Sequence, residues 1–180
     1  MDTTDQRQTR LPVELTLGGV KRWVPVGDNK VPLKGEGWNK PENCEAHDPG
    51  KKQGYLLSDE DDTGVLDFDP HKIEDPAKRK QAFALMEKLI AKLKDKTFCE
   101  RSLSGKGSHI WGRFKLNKGK VQNRNIGLEI FAYNQQVIPT GDVLGESTEL
   151  ADIQPEVDEL LTLINQPPAV KAAPAKLVAG

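Results

Sequence analysis

Two aspartates one residue apart, Asp67 and Asp69, close a short apolar stretch, Val65-Leu66-Asp67-Phe68-Asp69. On a strand, side chains alternate, so both carboxylates fall on one face while Leu66 and Phe68 fall on the other. The backbone spaces such a pair ~7 Å apart. Like charges at that range repel, and a cation between them relieves the repulsion. A donor set made only of oxygen favours Mg²⁺ or Mn²⁺. The plain alternative is a pair of surface acids at a sheet edge, although aspartate is a poor strand former. Upstream, Asp59, Asp61, Thr63 and Gly64 imitate the opening of a calcium-binding loop. Its twelfth position is Pro70 and not the bidentate Glu such a loop requires, which excludes it.

A second group is Ser102-Leu103-Ser104-Gly105-Lys106-Gly107-Ser108-His109. Its glycines let backbone N–H groups approach an anion, and the serines and Lys106 add donors. His109, Trp111 and Arg113 alternate along the next apolar stretch, which aligns an imidazole and a guanidinium on one face. Such a group can grip a triphosphate without a Walker loop, and no Walker pattern is present; an ordinary Gly/Ser hairpin leading to a core histidine fits the same residues. A third acid, Glu129, sits among apolar neighbours in Leu128-Glu129-Ile130-Phe131. It either faces solvent or is paired or metal-bound, because an unpaired charge inside such a strand is costly. Asp67, Asp69 and Glu129 together would suit phosphoryl transfer by two metals. His47 and His71 read as loop histidines outside the site. Cys44 and His47 form half a zinc site, and Cys99 is not spaced to complete it, so no zinc is expected.

The elements that must position these residues are legible in outline. Strands are expected over 22–26, 55–57 and 65–69, with an acidic turn at 59–62 before the third. Asp75 suits a helix N-cap and Pro76 the first helical position. Phe83, Met86, Leu89, Ile90 and Leu93 then form one apolar stripe, and the helix should end by residues 94–96. Extended segments follow at 98–103, 109–114, 128–133 and 136–139, then a short helix at 155–164. Residues 1–10 read as a disordered leader, 11–165 as one domain, and 166–180 as an Ala/Pro-rich tail or linker. Strands, helix, strands and a terminal helix make an α+β fold, a sheet with helices packed on it.

Bulk properties narrow the class. The 180 residues carry a net charge of −1 and 36% hydrophobic residues, as expected of one soluble domain. Charge is segregated along the chain: between residues 100 and 124 there are seven basic residues, Arg101, Lys106, Arg113, Lys115, Lys118, Lys120 and Arg124, and Glu100 is the only acid. Residues 142–159 hold acids alone. The basic stretch could follow nucleic-acid phosphates. Two cysteines, a polar start and no apolar run of ~20 residues point to a cytoplasmic protein with no membrane partner.

The order Leu-Asp-Phe-Asp, Ser-Gly-Lys-Gly-Ser-His, then Leu-Glu-Ile-Phe with Pro-Thr-Gly resembles the archaeo-eukaryotic primase superfamily, most closely its phage- and plasmid-type primase-polymerases. Trp38-Asn39-Lys40-Pro41-Glu42-Asn43, after Lys30-Val31-Pro32, is similar to that family's lead-in, and the resemblance spans residues 23–141. It implies an RRM-like catalytic core in which Asp67, Asp69 and Glu129 hold two Mg²⁺ or Mn²⁺ ions. It also implies that His109 and Ser104, helped by Lys106 and Arg101, contact the phosphates of an NTP or dNTP. Arg113, Lys115, Lys118, Lys120 and Arg124 would then track a single-stranded DNA template, with Trp111, Phe131 and Tyr133 as stacking candidates. A helicase is an expected partner, in cis if the chain is a fragment or otherwise in trans. The third acid is Glu where many relatives have Asp. A glycosyltransferase using the two aspartates, or a non-catalytic domain binding single strands, are the alternatives.

Overall fold

The computed structural model describes residues 10–165. The tail, and all of the leader but Arg10, lie outside them. Eight strands form two antiparallel sheets with helices packed on one side, an α+β architecture. The small sheet has the order β1-β2-β8, from Trp23–Pro25, Gln53–Leu57 and Gln135–Val137. The large one has the order β4-β5-β3-β7-β6, from Cys99–Arg101, Ser108–Arg113, Thr63–Phe68, Leu128–Phe131 and Lys120–Asn123. Helix α1 (Val13–Thr16) precedes β1, α2 (Pro76–Leu93) joins β3 to β4, and α3 (Gln154–Ile164) follows the last strand.

Strand alternation sorts the large sheet into two faces. Leu66, Phe68, Cys99, Ile110, Leu128 and Ile130 turn toward the helices and are buried with Met86, Leu89 and Leu93 of α2 and Val157 and Leu160 of α3. Burial of such side chains contributes about 1.5–3 kcal/mol each and holds the layers together. α2 forms where its caps and stripe coincide: an Asp75 carboxylate oxygen accepts from the Lys78 amide at 2.9 Å, and Pro76 opens the first turn. Lys92 of α2 pairs with Glu156 of α3 at 3.0 Å and fixes the two helices side by side.

Val65, Trp111 and Phe131 lie on the opposite face, in a second core with Trp23, Tyr55, Leu57 and Val137 of the small sheet. The small sheet therefore covers one half of the large sheet. Beyond that cover, toward the C-terminal end of β3, the face is open, and there the polar residues gather.

Candidate nucleotide and metal site

One row of residues crosses the large sheet at a single level. Glu100 of β4 is opposite His109 of β5, His109 is opposite Asp67 of β3, and Asp67 is opposite Glu129 of β7. Gln122 of β6 completes the row opposite Glu129. Directly opposed residues share a face with Cβ atoms ~5 Å apart. Register alone thus brings together residues up to 62 positions distant in sequence. Asp69 leaves the end of β3 and opens a 3₁₀ turn, Pro70–Lys72.

Asp67 is the strained member of the row. Its side chain is only 17% exposed, and its Oδ1 has no hydrogen-bond partner. Burial lifts its carboxyl to about pH 6; His109 opposes that rise, while Asp69 and Glu129 add to it. His109 Nε2 lies 3.7 Å from Asp67 Oδ1. The other acids already have cations: Lys72 and His71 lie against Asp69, and Lys120 meets Glu129 at 2.7 Å.

His109 is held from behind. Its Nδ1 is 2.9 Å from Glu100 Oε1, which also accepts from Trp111 Nε1 at 2.9 Å. The other Glu100 oxygen accepts from the amides of Thr140 and Gly141, both at 2.8 Å, while the Thr140 hydroxyl donates to the Arg101 carbonyl at 2.6 Å. A fully buried side chain held by the Trp111 indole and two backbone amides is fixed in place, and it fixes the ring that faces it. Burial works against a charged His109, but the Glu100 hydrogen bond and charge, with Asp67 and Asp69, outweigh it and raise its pKa. Nδ1 donates to Glu100, and Nε2 is presented toward Asp67.

These side chains open onto a cleft lined by Asp67, Asp69, His109, Ser102, Ser104 and Lys30. A second hollow lies on the far side of Asp69, between Glu129, Asn123 and Arg124. The loop between β4 and β5 is folded by Gly105 in the left-handed region at φ 73° and by the Ser102 hydroxyl, which accepts from the Gly107 amide at 3.2 Å. Gly107 passes so close to the end of β3 that a Cβ there would stand 2.2 Å from the Phe68 carbonyl and 2.8 Å from Asp69 Oδ1. The loop sits against the acids because that residue has no side chain.

The expected site residues divide into two groups. Asp67, Asp69, His109 and Ser104 share the first cleft, and Glu129 joins them through the row. Lys120 and Arg124 flank Glu129 on its outer side. Arg101 points away and pairs with Asp142 at 3.2 Å, and Lys106 does not line the cleft. Arg113 stands opposite Thr63, four residues down the strand pair from His109, or ~13 Å away, so it does not grip an anion alongside that imidazole. Lys115 follows it at the same end, beside the start of α3, and Lys118 is exposed in the loop before β6. Trp111 is wholly buried on Glu100 and offers no face for a base.

Sequence reasoning assigns no site role to Glu100 or Lys30 and sets His71 outside the site, whereas all three stand at or behind the cleft. A signal for Glu100 existed: it is the single acid among seven basic residues. The Pro-Thr-Gly segment closes on Glu100 through the Thr140 and Gly141 amides.

In atom type, though not in arrangement, the donors suit a hard divalent cation. All three acids offer oxygen, two stand in register, and one keeps a buried oxygen without a partner. Among the described residues no three His, Cys, Asp or Glu side chains converge as a finished cage. Lys72 and Lys120 are paired with Asp69 and Glu129, and coordination of an ion by those two acids would require both lysines to move away. No family model matches the chain, and no characterised protein matches it.

Proposed function

We propose that the chain is a metal-dependent nucleotidyltransferase of the primase-polymerase type, extending or initiating a nucleic-acid chain on a single-stranded DNA template. The observation that carries this is the in-register row His109–Asp67–Glu129 with Asp69 at its edge, opening on a cleft whose other wall carries hydroxyls and a lysine. Asp67, Asp69 and Glu129 would hold two Mg²⁺ or Mn²⁺ ions. Bound there, the ions would supply neutralisation of the triphosphate and a lowered pKa for the attacking 3′-hydroxyl.

The protein's own part is positioning. His109, clamped by Glu100, presents Nε2 to a phosphate oxygen, and Ser102 and Ser104 offer further donors from the hairpin. The strand–helix–strand–strand run β3-α2-β4-β5, with β7 back beside β3, supports an RRM-like core. The departure is the β6–β7 hairpin, which stands where a second helix would precede the last strand of that pattern, while α3 comes after it. Lys120, Arg124 and Lys118 lie where a template or primer strand could pass. A cytoplasmic setting and a helicase partner belong to the same proposal. Among the described residues no helix is long and apolar enough to cross a membrane.

A second reading, a non-catalytic domain for single strands, has one observation in its favour: two of the three acids are already paired to lysines. A glycosyltransferase would leave His109, Glu100 and Glu129 without work. Extension of a labelled primer on single-stranded DNA with Mg²⁺ or Mn²⁺ decides between them. Template-dependent extension by the wild type, lost in Asp67→Ala/Asp69→Ala, is the expected result. Salt-sensitive DNA binding with no extension by either protein would sink the catalytic reading and leave the binding domain.

A further inference from the structure

The acid row forms one wall of the cleft, and the opposite wall is built by the small sheet and the loop that follows β1. Lys30 stands in that loop and lines both the cleft and a larger hollow that shares Leu103 and Ile138 with it. An exposed lysine is ordinarily unremarkable, but three observations coincide here.

The first is conformational. Lys30 has φ 64°, in the left-handed region that a Cβ disfavours and that glycine or asparagine usually fills. A strained residue persists where its surroundings fix it, and such positions gather at functional sites. The surroundings do fix it. Its amide donates to the Gly27 carbonyl at 3.0 Å, and the Gly27 amide donates to the Val31 carbonyl at 2.9 Å. The Lys30 carbonyl accepts from Gln136 Nε2 of β8 at 2.9 Å. Gln136 reaches it across Gly54, where a Cβ would collide with Gln136 Oε1.

The second is electrostatic. Lys72 is committed to Asp69, His109 to Glu100, and nearby Lys52 and Lys51 to Asp28 and Glu45. Among the described residues Lys30 is the one cation of the cleft with no carboxylate partner. The third is the division of charge across the cleft: carboxylates stand on one side, and Lys30 with the Ser102 and Ser104 hydroxyls belongs to the rest of the lining. A polyphosphate lying between them would meet its metal ions on the acid side and an ammonium on the other.

We propose that Lys30 is a phosphate-binding residue of this cleft, contributed by the small sheet and preorganised by its left-handed turn to take the triphosphate of a nucleotide; this rests on the nucleotidyltransferase reading. The turn itself provides the test. Glycine is at ease at φ 64°, so Lys30→Gly removes the ammonium while relieving the backbone, and a purely structural lysine would not be missed.

Titration calorimetry on the full chain would use two probes with Mg²⁺, dATP and inorganic tripolyphosphate, on wild type, Lys30→Gly and Lys30→Arg. For Lys30→Gly the expectation is a melting temperature equal to or above wild type, with affinity for both probes about tenfold weaker. Lys30→Arg should retain most of the affinity. Unchanged binding of both probes by Lys30→Gly would overturn the proposal, as would loss of dATP binding with tripolyphosphate binding intact. If the wild type binds both probes but builds no chain on a template, the polymerase reading fails and the Lys30 site stands. If it extends primers and Lys30→Gly does so at the same dNTP affinity, only the Lys30 assignment fails. A wild type that binds neither probe ends both.

Discussion

Asp67 shows how far the site is held against its own stability. Its carboxyl sits at about pH 6 because burial penalises the charge, with Asp69 and Glu129 adding repulsion. A carboxyl raised on folding binds its proton more tightly in the native state, so stability falls as pH climbs from about 4 to about 6, and the loss is complete above that. Asp67→Asn removes the charge and should gain about 1–2 kcal/mol at pH 7.5. The gain should read as a melting temperature ~3–6 °C higher that converges on wild type below pH 4. Millimolar Mn²⁺ should raise the wild-type melting temperature and leave Asp67→Asn unmoved; an equal shift in both would remove Asp67 from the metal set. Glu100 behaves oppositely. Four donors converge on its two oxygens, and an amide would turn an NH₂ group against some of them. Glu100→Gln should therefore destabilise by about 3 kcal/mol and weaken triphosphate binding through a misoriented His109. The companion measurement is the ¹⁵N shift of the His109 ring, which should leave the Nδ1–H form; an unchanged ring signal would refute the positioning role.

At the scale of elements, the loop between β4 and β5 is where geometry is tightest. Gly107→Ala places a Cβ against the Phe68 carbonyl and Asp69, so the hairpin must lift off the end of β3. Loss of ~2 kcal/mol and a much larger loss of extension activity than Ser104→Ala are expected, checked by thermal melts and single-turnover assays. A Gly107→Ala protein with wild-type activity would mean the hairpin does not position the site. Legibility in the sequence followed local signals. α2 was readable because the Asp75 cap, Pro76 and the stripe from Phe83 to Leu93 agree with one another. β3, β5 and β7 were readable from their apolar runs. β6 was not: Lys120-Val121-Gln122-Asn123 is an edge strand whose polarity suits its exposure and hides its pairing. α1 is one turn long and carries too few residues to show a period. Asp67, Asp69 and Glu129 could be named from residue type and order. Their companionship with Glu100 could not, because it depends on the β4–β5–β3–β7 register and on Thr140 and Gly141 arriving from 40 residues away.

Over the whole molecule the two charge blocks of the sequence do not form two patches. The acidic segment after residue 142 folds back along the sheet: the Asp142 side chain pairs with Arg101, the backbone of Asp152 bridges that of Arg113, and Glu156 pairs with Lys92 of α2, outside the basic stretch. Within the basic stretch Arg101 is thereby paired and Lys120 is held by Glu129, while Lys106, Arg113, Lys115, Lys118 and Arg124 form no ion pair among the described residues. Of these, Arg124 lines the hollow next to Glu129 and belongs to no ion pair among the described residues. Counterion release makes this arrangement measurable. Each phosphate neutralised on a single strand contributes about −0.7 to the slope of log K against log salt. Fluorescence anisotropy on a labelled single strand should show Arg124→Ala binding more weakly, with a slope shallower by about that amount. Arg113→Ala and Lys115→Ala, ~13 Å from the row along the strands, should leave both affinity and slope at wild-type values. If those two instead weaken binding as much as Arg124→Ala, the strand crosses the α3 end of the sheet and the acid row does not lie on its path.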